Sequence, residues 1–357
     1  MLVKALWLHS SDGKELTIID GEHSRRGISV DDQSPLPRVI VIEGFTIINC
    51  SSFPPSLGSG IGGGTTTSTI NINSCHFENN EGLYGGGLQL QGDVVSITKC
   101  TFSKNSAFES GGGATCAGTN IEISECVFEG NISGYGSGGG LSLRTGSPFD
   151  KNASAAIDNC LFNNNIANLG NGGALSVDGG LNIDISNCSF NSNVSDYEGG
   201  GVWVWGTLNA HISNCNFEYN SSYYGGGLFA YHSEFTLDNC IFRENTAFST
   251  GGAVYTWNHL APPVGDVPTI SNTIICGNSD EQVGGDVDEI NYDGGNCIVE
   301  SCNDSNGDEI PDECQCLADI NGDGYVNVND LLAIIAAWGI DCDGCSEDVN
   351  DDANVDV

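Results

Sequence analysis

One phrase, Cys-x-Phe-x-x-Asn, recurs along this chain and leaves few folds open to it. It stands at Cys75/Phe77/Asn80, Cys100/Phe102/Asn105, Cys126/Phe128/Asn131, Cys160/Phe162/Asn165, Cys188/Phe190/Asn193, Cys215/Phe217/Asn220 and Cys240/Phe242/Asn245. A degenerate copy follows at Thr273/Ile275/Asn278, with Cys276 out of frame. Cys75 and Cys100 are 25 residues apart, Cys160 and Cys188 are 28, and longer gaps mark insertions such as Thr145–Ser154. A glycine triplet lies between copies, as in Gly85-Gly86-Gly87-Leu88-Gln89-Leu90 and Gly172-Gly173-Ala174-Leu175. A third element precedes each cysteine, as in Ile121-Glu122-Ile123-Ser124.

Each repeat therefore reads as about three short period-2 strands joined by tight turns, with no 3.6-residue period long enough for a helix. One such unit cannot bury its apolar face, whereas stacked units can. From about Ile40 to about Val299 the expected architecture is all-β: a right-handed parallel β-helix, a solenoid of about eight or nine coils, with residues before it as an N-terminal cap. Cys and Phe two positions apart share a face and point inward. The Asn at each turn can bond its equivalents in the coils above and below. Seven stacked cysteines read as small buried thiols, because in-register neighbours point alongside one another, a poor geometry for bridging.

The Phe-x-x-Asn and Gly-Gly-Ala-(Ile/Leu/Val) phrases resemble the repeats of polymorphic outer-membrane proteins, bacterial surface β-helices. The resemblance implies a β-helix displayed outside the cell or at its surface, in the manner of an adhesin or a passenger domain.

Charge narrows the partners. Asp and Glu number 47 against 10 Lys and Arg, for a net charge of −37. That excludes nucleic acid, whose binders bring cations to the phosphates, and anionic membrane surfaces. No run approaches the ~20 apolar residues of a membrane span. The opening Met1–Leu8 is too short an apolar run for a secretory signal, and the chain stops at Val357 inside a motif. Both ends fit a fragment.

After Cys302 the composition changes. Asp319, Asn321, Asp323, Asn327 and Asp330 place oxygen ligands at positions 1, 3, 5, 9 and 12 of a loop; Gly324 permits the turn at 6 and Tyr325 offers its carbonyl at 7. That is calcium-loop spacing. The loop runs into Leu331–Trp338, a good helix former stopped by Gly339. Loop, helix and a final Asp resemble a type I dockerin, an EF-hand-like α-helical module over residues 317–357. A partial second copy follows at Asp348, Asn350, Asp352, Asn354 and Asp356. The resemblance implies calcium as cofactor, a cohesin-like protein as partner, and the company of carbohydrate-active modules. Between, residues 301–316 form an acidic linker. Its Asp304, Asn306, Asp308, Ile310 and Asp312 resemble a thrombospondin type 3 calcium repeat. Cys297, Cys302, Cys314, Cys316, Cys342 and Cys345 read as disulfides clamping this tail, or as a zinc site. Cys50, Cys116 and Cys276 belong to neither set.

Phasing the strand after each glycine triplet puts Leu88 and Leu90 inside, and Gln89 and Gln91 outside. The same register turns Ser142 and Arg144, then Ser176 and Asp178, outward. The next three coils present Trp203 and Trp205, Phe229 and Tyr231, and Tyr255 and Trp257. Six outward aromatics on one sheet ask for a cause. They bind a glycan or another surface ligand, or else they shield one another beneath the 260–268 loop or the tail. Arg144 and Asp178 are the candidates for catalysis by a polysaccharide lyase or glycoside hydrolase. A lyase needs a base beside a neutralised carboxylate and a hydrolase needs two carboxylates; neither set is complete here. A passive envelope spacer is the third reading.

Overall fold

The computed structural model describes residues 4–30, 37–51, 60–64, 66–145, 153–180, 182–207, 209–257, 268–279, 281–286, 290–304, 310–311 and 314. The chain divides into two compact units, Met1–Ser301 and Cys302–Val357. The described part of the first is a parallel β-helix of about nine coils. The dockerin-like segment and its α-helix lie outside the described residues.

Every coil visits the same sheets in turn. Sheet A, of eleven strands, holds the strand before each cysteine, such as Val94–Thr98. Sheet B, also eleven, holds the Phe strand, such as Thr101–Ser103. Sheet C, of ten, holds the strand after the glycines, such as Ala114–Ala117. The pairings are parallel and, apart from one register shift between Ser222 and Tyr224, in register, Phe on Phe: Phe77↔Phe102↔Phe128. Two expectations need correction. The coil has a fourth short strand after the Asn, two residues long in most coils, such as Ser106–Ala107, and longer at Ser221–Tyr224 and Thr246–Thr250; seven of these make sheet D between B and C. The N-terminal segment is also no separate cap. Lys4–His9 pairs with Arg38–Glu43, Ile18–Asp20 with Thr46–Ile48, and Ile28–Val30 with Ile61–Gly63, so it forms a coil of its own. It lacks the Cys/Phe phrase, which is why the repeat did not reveal it.

Three ladders hold the coils together. Seven Phe rings from Phe77 to Phe242 stack face to face, with centroids 4.4–5.0 Å apart and planes within 15°. That spacing matches the distance between strands in the hydrogen-bonding direction. The Asn side chains form the second ladder. Asn105 Oδ1 accepts from both the backbone N–H and Nδ2 of Asn80, and Asn105 Nδ2 donates to Phe77 O at 3.0 Å and to Asn131 Oδ1 at 3.0 Å. Each buried amide is thus satisfied, which burial demands. Cys50 heads this ladder, its N–H donating to Asn80 Oδ1 at 2.9 Å. Gln282 ends it, accepting from Asn278 Nδ2 at 3.0 Å.

The third ladder is the cysteines, all seven buried and free, as are Cys50 and Cys116. Backbone N–H groups point at the next sulfur, as from Cys100 to Cys126 Sγ at 3.4 Å. Cys116 takes the inward place of Leu90 and Leu143 in sheet C, and burial pushes its thiol up to about 12. Cys276, Cys297, Cys302 and Cys314 are disulfide-bonded; Cys316, Cys342 and Cys345 lie outside the described residues.

Turn chemistry explains the polar punctuation. The residues before each Cys and before each ladder Asn adopt the left-handed conformation: Asn187 and Ser192, for example, at φ of 53° and 55°. Asn tolerates that region better than most residues. The glycine triplet divides its work. Gly199 has φ 64°. A Cβ on Gly200 would lie 2.4 Å from the Gly226 carbonyl oxygen of the next coil. The third position accepts Ala, as at Ala174 and Ala253.

Candidate ligand-binding surface

Sheet C carries two outward columns. One runs Gln89, Thr115, Ser142, Ser176, Trp203, Phe229, Tyr255; the other runs Gln91, Ala117, Arg144, Asp178, Trp205, Tyr231, Trp257. Parallel in-register pairing sets each residue beside its equivalent one coil away. The columns are small or polar from Gln89 and Gln91 through Ser176 and Asp178, and become aromatic together at Trp203 and Trp205.

The structure brings Arg144 and Asp178 together in adjacent strands, with Arg144 Nε 3.5 Å from Asp178 Oδ2. They neutralise one another at the edge of the aromatic area. Asp178 is also the in-register neighbour of Trp205.

The six aromatics do not form the uniform exposed platform that alternation implies. Trp205 is 41% exposed. Trp203, Tyr231, Tyr255 and Trp257 are half-buried. Phe229 is fully buried, yet it lies outside the core cluster. Tyr255 stacks on it at 5.2 Å. Phe229 is therefore packed against Tyr255 with no face open to solvent, rather than a contact residue, which corrects its assignment to the binding face. Trp203 and Trp205 lie with centroids 6.4 Å apart and planes 16° from parallel. Tyr231 meets Trp257 edge-on at 5.7 Å and His232 edge-on at 4.2 Å.

The surface also turns a corner that the sequence reading missed. Phe108, Tyr135, Leu169 and Tyr197 project from the corner after sheet D, and Tyr223 and Phe248 from its two longest strands, each at least 41% exposed. They follow the coil period, with 27 residues from Phe108 to Tyr135 and 25 from Tyr223 to Phe248. That periodic recurrence was the available signal. Ring contacts join this ridge to sheet C: Phe248 to Tyr223 at 5.3 Å, Tyr223 to Tyr224 at 4.7 Å, and Tyr224 to Tyr255 at 5.1 Å.

Carboxylates edge the same rings. Trp203 Nε1 donates to Glu198 Oε2 at 2.9 Å, so Glu198 sets the indole's orientation. Burial raises the Glu198 carboxyl above its ordinary value, and the indole bond pulls it partly back. Thr250 Oγ1 donates to Glu281 Oε2 at 2.8 Å. Asp286 N–H donates to Thr256 O, which seats Asp286 one coil beyond Tyr255 and Trp257. Burial raises the Tyr255 phenol, and the charges of Tyr224, Asp286, Glu198 and Glu281 raise it further. The pattern of alternating faces gave no access to Glu198, because it sits in the turn just before the glycines.

The calcium-loop residues Asp319, Asn321, Asp323, Tyr325, Asn327 and Asp330 lie outside the described residues, as do Asp348, Asn350, Asp352, Asn354 and Asp356. Of the linker set, Asp304 and Ile310 are described, Ile310 being 40% exposed, and Asn306, Asp308 and Asp312 are not. Among the described residues no cluster of His, Cys, Asp or Glu has the form of a metal site, and no helix is long and apolar enough to cross a membrane.

A stacked-coil interior with a decorated outer sheet defines a class, the parallel β-helix solenoids. A family model described as "right handed beta helix region" matches residues 8–207, more than half of the chain, which therefore belongs to that family. No curated protein and no solved structure matches it.

Proposed function

We propose that this β-helix works outside the cell or at its surface, binding a glycan on the aromatic corner between sheets D and C. The observation that carries the proposal is the unbroken run of ring contacts from exposed Phe248 through Tyr223 and Tyr224 to Tyr255, beside the Trp203–Trp205 pair. Apolar sugar faces stack on such rings, and large exposed aromatic surface is rare without a partner. The bonded cysteines Cys276, Cys297, Cys302 and Cys314 support an oxidising location, as does the resemblance of the repeats to surface β-helices. The loop Asp319–Asp330 holds calcium in this reading, and the dockerin-like tail tethers the β-helix to a cohesin-like protein.

A glycan array probed with the purified chain, with and without EDTA, tests both halves. Binding that disappears in Trp205→Ala and Trp257→Ala supports the aromatic site; absence of any glycan signal removes it. Calcium titration by calorimetry tests the tail, and silence at about millimolar calcium removes that site.

A second reading rests on Glu198. A carboxyl whose proton is held more tightly by burial can serve as a general acid. Glu281 and Asp286 supply further carboxylates near Tyr255, and glycoside hydrolysis works with two. Release of reducing ends from a bound glycan, lost in Glu198→Gln, would make the protein a degrading enzyme.

A further inference from the structure

Resting on the glycan-binding reading, we infer that the ligand of this surface is a cationic glycan, one whose amino sugars carry free ammonium groups. The observation is charge complementarity around the rings. Of the ten Lys and Arg residues of the chain, Arg144 alone lies in a described strand of sheet C. Asp178 holds it at 3.5 Å, at the far edge of the aromatic area. The imidazole of His232 packs against Tyr231. Acidic groups, by contrast, border the rings at three points. Glu198 meets the Trp203 indole at 2.9 Å, Glu281 bonds Thr250, and Asp286 follows Trp257 on the next coil.

Physics makes this surface selective by sign. A uronate chain would bring its carboxylates against Glu198, Glu281 and Asp286, and like charges at close range repel. An ammonium gains twice. It meets the faces of Trp and Tyr rings, which attract cations. It also gives half-buried Glu198 the opposite charge that offsets its lost hydration. A neutral sugar would stack on the rings and gain neither.

The test is calorimetric titration of the full chain with three probes: a glucosamine hexamer, its N-acetylated counterpart and a galacturonate hexamer with and without calcium. The glucosamine hexamer binds at least about tenfold more tightly than the acetylated one, and its affinity falls as salt rises from about 0.01 to about 0.5 M. Glu198→Gln keeps an acceptor for the Trp203 N–H and weakens glucosamine binding about threefold, the scale of one exposed pair. Glu198→Gln with Asp286→Asn weakens it about tenfold. Equal, salt-independent affinity for the two hexosamine probes overturns the charge inference and leaves glycan binding standing. Preference for galacturonate with calcium overturns it in favour of a metal-bridged anionic ligand. Polylysine that competes as well as the hexamer, per charge, overturns the commitment to a sugar. If no saccharide binds here or on the array, the glycan reading falls as well.

Discussion

The protein contains two populations of aromatic rings, one inside the coil and one outside, and they obey different rules. The inner Phe rings repeat at 4.4–5.0 Å with planes within 15° of parallel. The outer rings meet at 4.7–6.4 Å, with planes from 10° to 80° apart. The same backbone repeat carries both. Inside, each ring is boxed by its equivalents above and below, by the Cys ladder and by the inward aliphatics, so one rotamer fits every coil. Outside, nothing repeats tightly enough to impose a common orientation. Regularity marks the rings that hold the fold; the irregular outer rings, most of which reach solvent, are the ones the proposal assigns to a glycan.

This contrast can be broken most severely from the inside. Phe162→Ala, in mid-stack, costs about 3–5 kcal/mol, read by chemical or thermal denaturation. In a solenoid whose coils touch only their neighbours, the variant also separates the unfolding of the two halves. Asn165→Ala comes next. It strips the acceptor from the Asn131 backbone N–H and side-chain amide and the donor from Phe128 O. Each buried group left unpaired costs about 1–3 kcal/mol. A loss under about 0.5 kcal/mol in the same melt would show that water replaces the ladder.

Phe229→Ala sharpens the comparison, because this ring is outside by register and buried by packing. It lowers stability by about 2–3 kcal/mol and weakens glycan binding, since Tyr255 loses its support. Trp205→Ala separates the two roles most cleanly, with stability changed by less than about 0.5 kcal/mol and glycan binding lost on the array. A melt as damaged as that of Phe162→Ala would place Trp205 with the core instead.

The smallest effect is a pH dependence at Glu198. Its folded-state pKa is raised by burial, so the folded state binds that proton more tightly than the unfolded chain does. The resulting stability is fully present below the ordinary Glu value and is lost as pH rises through the raised one. Glu198→Gln removes this component. Its stability profile therefore diverges from the parent's between mildly acidic and neutral pH, with the variant relatively more stable at the upper end. Superimposable profiles would show that the carboxyl is fully hydrated.

The sequence by itself determined the solenoid, its register and its inward residues. Cys, Phe and Asn recur at fixed offsets, period 2 assigns their faces, and stacking is the one arrangement that pairs every copy with its like. Free thiols follow from the same register. The first coil escaped because Lys4–Val30 keeps the shape of the repeat without its phrase. Tertiary structure alone decided what the outer face became. Alternation places Phe229 and Trp205 on the same outer face, and only the neighbouring coil and the corner show that one is covered and the other open. The link from Phe248 to Tyr255, and the meeting of Glu198 with Trp203, join residues on different strands and turns. Which side chains touch across such a corner depends on the angle between two sheets, and no spacing along the chain encodes that angle.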